Sequence, residues 1–94
     1  GLVDAHMHTG VSIYKGFAQD TKNWMSDCVF PLKGALSAES RRAGSMVMIA
    51  EAIKAGTTTM VDSNEDMLLF ADNHVQAGVR AQLSHASWPG CDWG

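Results

Sequence analysis

The chain has little that would commit it to nucleic acid, membrane or disulfide chemistry. Seven Lys or Arg face ten Asp or Glu among its 94 residues, a net charge of -3 with four His counted neutral. Arg41 and Arg42 are the only adjacent cations. No basic patch of the kind that neutralises phosphates is present, so nucleic acid is not an expected partner. No apolar run approaches the ~20 residues that span a bilayer. No basic stretch leads an apolar segment in the manner of a secretory leader. No membrane partner is therefore expected, and the expected location is the cytoplasm. The two cysteines, Cys28 and Cys91, lie far apart without a CxxC neighbour. That speaks against both a disulfide framework and a zinc ribbon, and they read as reduced thiols. Repeats, low-complexity tracts and internal domain boundaries are also lacking.

What is there suits a globular fold. The chain is 46% apolar and 18% charged, as ordinary soluble domains are, and long enough for one modest core. Leu2 to His8 reads as a strand with alternating faces: Leu2, Asp4, His6 and His8 point one way, Val3, Ala5 and Met7 the other. Thr9-Gly10 breaks it. Val11 to Asp20 reads as an ordered loop, and Lys22 to Phe30 as a short helix stopped by Pro31. Pro31 to Gly34 then reads as a turn. Ser37 is an N-cap with Glu39 in the first turn. Behind it Ala43, Met46, Val47, Ala50 and Ile53 recur at helical steps as one apolar face, and Gly56 suits the C-cap.

The remainder alternates in the same way. Thr57 to Asp62 is β-branched and reads as a second strand. Ser63 to Asp66 reads as a polar turn, Met67 to Ala77 as a helix stopped by Gly78, and Val79 to His85 as a third strand. The tail from Ala86 reads as a loop. Strands alternating with helices mean βαβ units, an α/β fold with a parallel sheet and right-handed crossovers. The chain opens at Gly1 on a strand and stops at Cys91-Asp92-Trp93-Gly94 without a closing element. Both ends read as cuts through a larger protein.

His6 and His8 carry the chemistry. Two apart on a strand, their imidazoles share one face and offer two nitrogen donors to one divalent ion. In a parallel barrel that face is the interior, and active sites form at the C-terminal ends of the strands. Two ligands do not complete a catalytic centre, since catalytic zinc takes three plus water. On spacing alone, His6 and His8 as ordinary strand residues of a small non-catalytic α/β module remains an open alternative.

Gly1-Leu2-Val3-Asp4-Ala5-His6-Met7-His8 resembles the opening strand of the amidohydrolase superfamily, and Ala55-Gly56-Thr57-Thr58-Thr59-Met60-Val61-Asp62 resembles its second strand. Tyr14-Lys15-Gly16-Phe17-Ala18-Gln19-Asp20, then Trp24-Met25 and Pro31-Leu32, looks like the branch of cyclic-amidine deaminases and chlorohydrolases. The resemblance covers nearly the whole chain. It implies a (β/α)8 TIM barrel, of which residues 1–94 would be the N-terminal portion, with about three parallel strands and their helices. It implies one divalent metal ion, zinc or iron, with His6 and His8 as metal ligands. The later ligands and the proton-handling Glu/His pair would lie beyond Gly94, so no catalytic residue falls within the chain. The implied substrate is a small heterocycle, an aminated purine, pyrimidine or triazine, deaminated or dehalogenated by metal-activated water. The full-length protein is expected to be a homo-oligomer. Lys15 stands where relatives often carry Arg, which matters wherever a bidentate contact is needed. A binuclear branch of the superfamily is a further alternative, against which the Lys15 to Pro31 stretch argues.

Other residues have two readings each. Trp24 either walls a substrate pocket, as flat aromatics stack on flat rings, or packs the loop. Asp4 supports the metal site or closes the barrel floor as a satisfied carboxylate. Asp62 supports the site or caps the next helix. His85 faces the site or is solvated or packed. His74 reads as a surface residue and Glu51 as half of an ion pair. The six methionines read as core filling, and Cys28 as a small buried thiol with no basic neighbour to activate it.

Overall fold

The computed structural model describes residues 1–87; Cys91 and the tail from Trp88 lie outside them. Strand β1 (Leu2–Met7) runs into a 3-10 turn at Thr9–Tyr14. A wide π turn at Met25–Val29 leads directly into α1 (Phe30–Ala35). Then follow α2 (Ala38–Lys54), β2 (Thr57–Asn64), α3 (Met67–Ala77) and β3 (Arg80–His85). The three strands form one parallel sheet in the order β1-β2-β3. Parallel neighbours need long crossovers, and here helices supply them. This is the expected α/β arrangement of three parallel strands with intervening helices.

The faces of the sheet set up everything that follows. Met7 of β1 and Met60 of β2 pack with Ile49 of α2, flanked by Met48, Ala52, Ala77 and Val79. The helices therefore cover the Met7 side. His6, exposed beside the buried Met7, lies on the opposite side, while the pairing with β2 shifts register between Asp4 and Met7 and leaves Asp4 opposite Met60. Ile49, Met60 and Phe70 are fully buried, each contributing about 1.5–3 kcal/mol.

Several local expectations hold. The Ser37 hydroxyl accepts the Ser40 N–H at 3.1 Å as the N-cap of α2. Gly78 ends α3 in the left-handed region at φ 74, where a side chain would be strained.

Others are corrected. Pro31 does not stop a helix; it sits in the first turn of α1, where a missing N–H costs nothing. The π turn before it closes through Phe30 N–H to Met25 O. The stretch Pro31 to Gly34 is therefore helix, not turn. The Val11–Asp20 loop begins as the 3-10 turn. Ser63 and Asn64 extend β2 instead of turning, since Asn64 still pairs with His85 of β3. Helix α2 buries Ser45 and Ile49 and leaves Val47 and Ile53 exposed, so its covered side is not the expected apolar one. Close approach decides this. A methyl at Gly44 would stand 2.9 Å from Ile13 Cβ, and Ser45 bonds to Thr9. Small and polar residues let α2 pack against the 3-10 turn, and a count of apolar residues overlooks them.

Candidate active site

His6 and His8 lie at the C-terminal end of β1 with ring centroids 4.6 Å apart and planes nearly perpendicular. His8 is turned by a close contact between its Nδ1 and the Ser63 carbonyl of β2. A carbonyl only accepts, so Nδ1 carries the proton and the Nε2 lone pair is left for another partner. This carbonyl–histidine arrangement is how ligating imidazoles are commonly oriented. The backbone N–H of His6 donates to Asp4 Oδ1 at 3.2 Å, so Asp4 braces the strand bearing the pair. The chemistry of these donors fits a divalent ion, for which they could supply two ligands. Among the described residues no group of three or more His, Cys, Asp or Glu converges to hold one.

Directly after His8 the chain is gripped from the helix side. Asp62, fully buried, accepts the Thr9 N–H at 3.0 Å on Oδ1 and the Thr9 hydroxyl at 2.6 Å on Oδ2. Asn64 donates to Asp62 Oδ1 at 2.8 Å and accepts the Gly10 N–H at 2.9 Å. Ser45 adds a hydroxyl bond to Thr9 at 2.8 Å. Behind them His74 Nε2 stands 3.1 Å from Asp62 Oδ2, an ion-pair contact rather than an aligned hydrogen bond. The other His74 nitrogen, Nδ1, lies 3.0 Å from the Phe70 carbonyl. Burial pushes the Asp62 carboxyl up, but the contacts from His74 and Thr9 outweigh it and hold it below its ordinary value. The Asp62 contact raises His74, against the opposing effect of burial. The contact between them favours the charged form of each group against the cost of burial, and the carboxylate is further held by its hydrogen bonds from Thr9 and Asn64.

A chiefly apolar pocket of about 570 Å³ opens beside His8. Tyr14, Trp24, Met25, Val29 and Phe30 contribute to its wall, and Arg41, Lys33 and Glu65 also line it. Ala86 from the segment after β3 lines the same pocket. The chain leaving β1 and the chain leaving β3 therefore meet on the His8 side. Its size and its mix of aromatic side chains with few polar groups suit a small planar molecule.

Placement of the remaining residues separates the open readings. Trp24 lies in the pocket wall and is half exposed. Glu51 forms an ion pair with Lys15 at 2.7 Å. Asp62 caps no helix; it holds the turn that follows His8. His74 is 2% exposed, not a surface residue, because α3 turns that side onto the Asp62 carboxylate. His85 sits on the exposed part of β3 with Nδ1 3.1 Å from the Glu65 carbonyl. Met7, Met60 and Met67 are core, while Met25 lines the pocket. Cys28 is a half-buried free thiol. The sequence reading missed Thr9, Asn64, Tyr14 and Arg41. A polar residue at alternate positions of an otherwise β-branched strand, Asp62 then Asn64, was the available signal for the first two.

Comparison with known proteins bears on this arrangement. A family model described as the amidohydrolase family matches residues 1–88. A 5-methylthioadenosine/S-adenosylhomocysteine deaminase of Acetivibrio thermocellus is 39% identical over 85 residues, covering 88% of this chain and 20% of the relative. One from Haloarcula marismortui is 36% identical over 85 residues, with the same coverage. A 5'-deoxyadenosine deaminase of Methanopyrus kandleri is 33% identical over 87 residues, covering 90% of this chain and 20% of the relative. The chain spans about a fifth of the length of the curated relatives it matches.

Proposed function

Because the chain belongs to the amidohydrolase family, we propose that residues 1–94 are the N-terminal portion of a barrel domain in a metal-dependent deaminase. The observation that carries this reading is the orientation of His8: Nδ1 is spent on the Ser63 carbonyl, which leaves the Nε2 lone pair free on a ring whose centre is 4.6 Å from that of His6. The substrate class is an aminated heterocycle, a reading supported by the names of the relatives above, 5'-deoxyadenosine deaminase and 5-methylthioadenosine/S-adenosylhomocysteine deaminase. A non-catalytic module is not favoured.

His6 and His8 would hold one divalent ion, zinc or iron, together with ligands from outside residues 1–94. What such an ion supplies when bound is acidification of a water molecule near neutral pH. The chain's own residues do three things. Ser63 holds the His8 tautomer through its carbonyl. Asp62 and Asn64 fix Thr9 and Gly10, and with them the exit of the chain from His8. The pocket wall, with Trp24 as a flat contact, orients a planar ring and excludes water from it. General acid and base groups are expected outside this chain, in a cytoplasmic protein that assembles as a homo-oligomer.

The test is metal analysis and ammonia release on the full-length protein, with His6→Ala and His8→Ala variants and adenosine, guanine and triazine substrates. Each substitution is expected to lower metal content and abolish turnover. Full metal occupancy and activity in the double variant would overturn the assignment.

A further inference from the structure

His74 is a buried histidine that the proposed chemistry does not use. It lies on α3, is 2% exposed, and is not among the residues lining the pocket. Both of its ring nitrogens face acceptors: Nδ1 stands 3.0 Å from the Phe70 carbonyl and Nε2 3.1 Å from Asp62 Oδ2. That suits a ring with a proton on each nitrogen. Asp62 in turn bears on the chain next to His8. Its Oδ1 takes the Thr9 N–H at 3.0 Å and its Oδ2 the Thr9 hydroxyl at 2.6 Å. Three successive residues leaving β1 are thus held by three successive residues at the end of β2. The Ser63 carbonyl holds His8, Asp62 holds Thr9 and Asn64 holds Gly10. Thr9 is fully buried, and Gly10 has no room for a Cβ, which would fall 2.6 Å from the Phe70 ring. Phe70 links the two ends of this path, since its ring abuts Gly10 and its carbonyl holds His74. A turn packed this tightly transmits a displacement instead of absorbing it, so a shift of the Asp62 carboxylate passes to His8.

We propose that His74 is a positioning residue for His8, acting through Asp62 and Thr9 to fix the setting of that imidazole for a divalent ion. The inference rests on reading His6 and His8 as metal ligands. Groups that orient ligating imidazoles from behind are worth about 10–100-fold in metal affinity. His74 acts at one remove, through Asp62, so the lower end of that range is expected.

The experiment measures zinc affinity of the full-length protein by competition with a chelator, well below the unfolding transition so that loss of fold does not contribute. His74→Val removes the contact to Asp62 and is expected to weaken zinc binding about tenfold. Should that variant not fold, His74→Asn, polar but with a shorter amide, takes its place with the same expected loss. His74→Gln keeps an N–H able to reach Asp62 and should recover most of the affinity. Gly78→Ala is the control for stability alone. It strains the left-handed end of α3 at φ 74, and should lower the melting temperature while leaving zinc affinity unchanged. Hydrogen exchange in the metal-free protein gives a second readout: the Thr9 and Gly10 amides should exchange faster in His74→Val and not in Gly78→Ala. Unchanged zinc affinity in His74→Val, an equal loss in Gly78→Ala, or a loss in His74→Gln as large as in His74→Val would overturn the positioning role and leave the metal reading standing. A wild type that binds neither zinc nor ferrous iron would overturn the metal reading and the positioning role with it.

Discussion

Replacing Asp62 with Ala is the severest single change the structure allows near His8. The carboxylate meets four buried groups at once: the Thr9 N–H and hydroxyl, the Asn64 amide and the His74 ring. Each buried donor left unmet costs about 1–3 kcal/mol, but a simple sum overshoots, since the groups are coupled and relax together. Removing one half of a buried ion pair costs about 3–5 kcal/mol, and that is the expected loss. Set against a total stability of about 5–15 kcal/mol, it brings the protein close to unfolding. Asp62→Asn keeps the volume and one carbonyl acceptor and should lose about 1.5–3 kcal/mol, the worth of hydrogen bonds to a charged group. The assay is urea unfolding of the full-length protein, read as a lower midpoint at unchanged slope. A cycle with His74→Ala isolates the pair. A loss below about 1 kcal/mol for Asp62→Ala, or additivity within about 0.5 kcal/mol in the cycle, would refute the reasoning.

The same pair sets a pH window. His74 is raised from 6.5 in the folded state, so its contribution is full below 6.5 and fades as pH rises through its folded value. Asp62 is lowered from 3.8, so its contribution is full above 3.8 and fades as pH falls through its folded value. Melting temperatures across pH should show the pair's stabilisation greatest between those two values, and the His74→Gln variant should flatten the loss on the alkaline side; an unchanged profile would count against the pair. Gly10→Ala is expected to destabilise by about 1–3 kcal/mol through overpacking. Its Cβ would fall 2.6 Å from the fully buried Phe70 ring and 2.8 Å from Asn64 Oδ1, and a neutral effect in a thermal melt would show that this contact gives way.

Local periodicity marked the three strands and the two longer helices, α2 and α3, but not α1 or the turns before it. Alternation over Leu2 to His8 placed Met7 and His6 on opposite faces, and the helix cover over Met7 agrees, because strand alternation is a property of the backbone. Ser37 and Gly78 marked helix ends through preferences that act within a few residues. The His-x-His pair and the Gly-Thr-Thr-Thr run were legible as motifs for the same reason. Tertiary structure decided what these residues meet. His74 looked like a surface residue until α3 packed it against Asp62, two elements whose contact no local pattern encodes. Helix α2 buried Ser45 and Ile49 and left Val47 and Ile53 exposed, since close approach of Gly44 to Ile13 and of Ser45 to Thr9 depended on small size rather than hydrophobicity. Tyr14 and Arg41 became neighbours in one pocket wall only when the turn after β1 and the start of α2 were folded together. Hydrogen bonds and packing between distant segments follow from three-dimensional proximity, and periodicity along the chain carries no record of it.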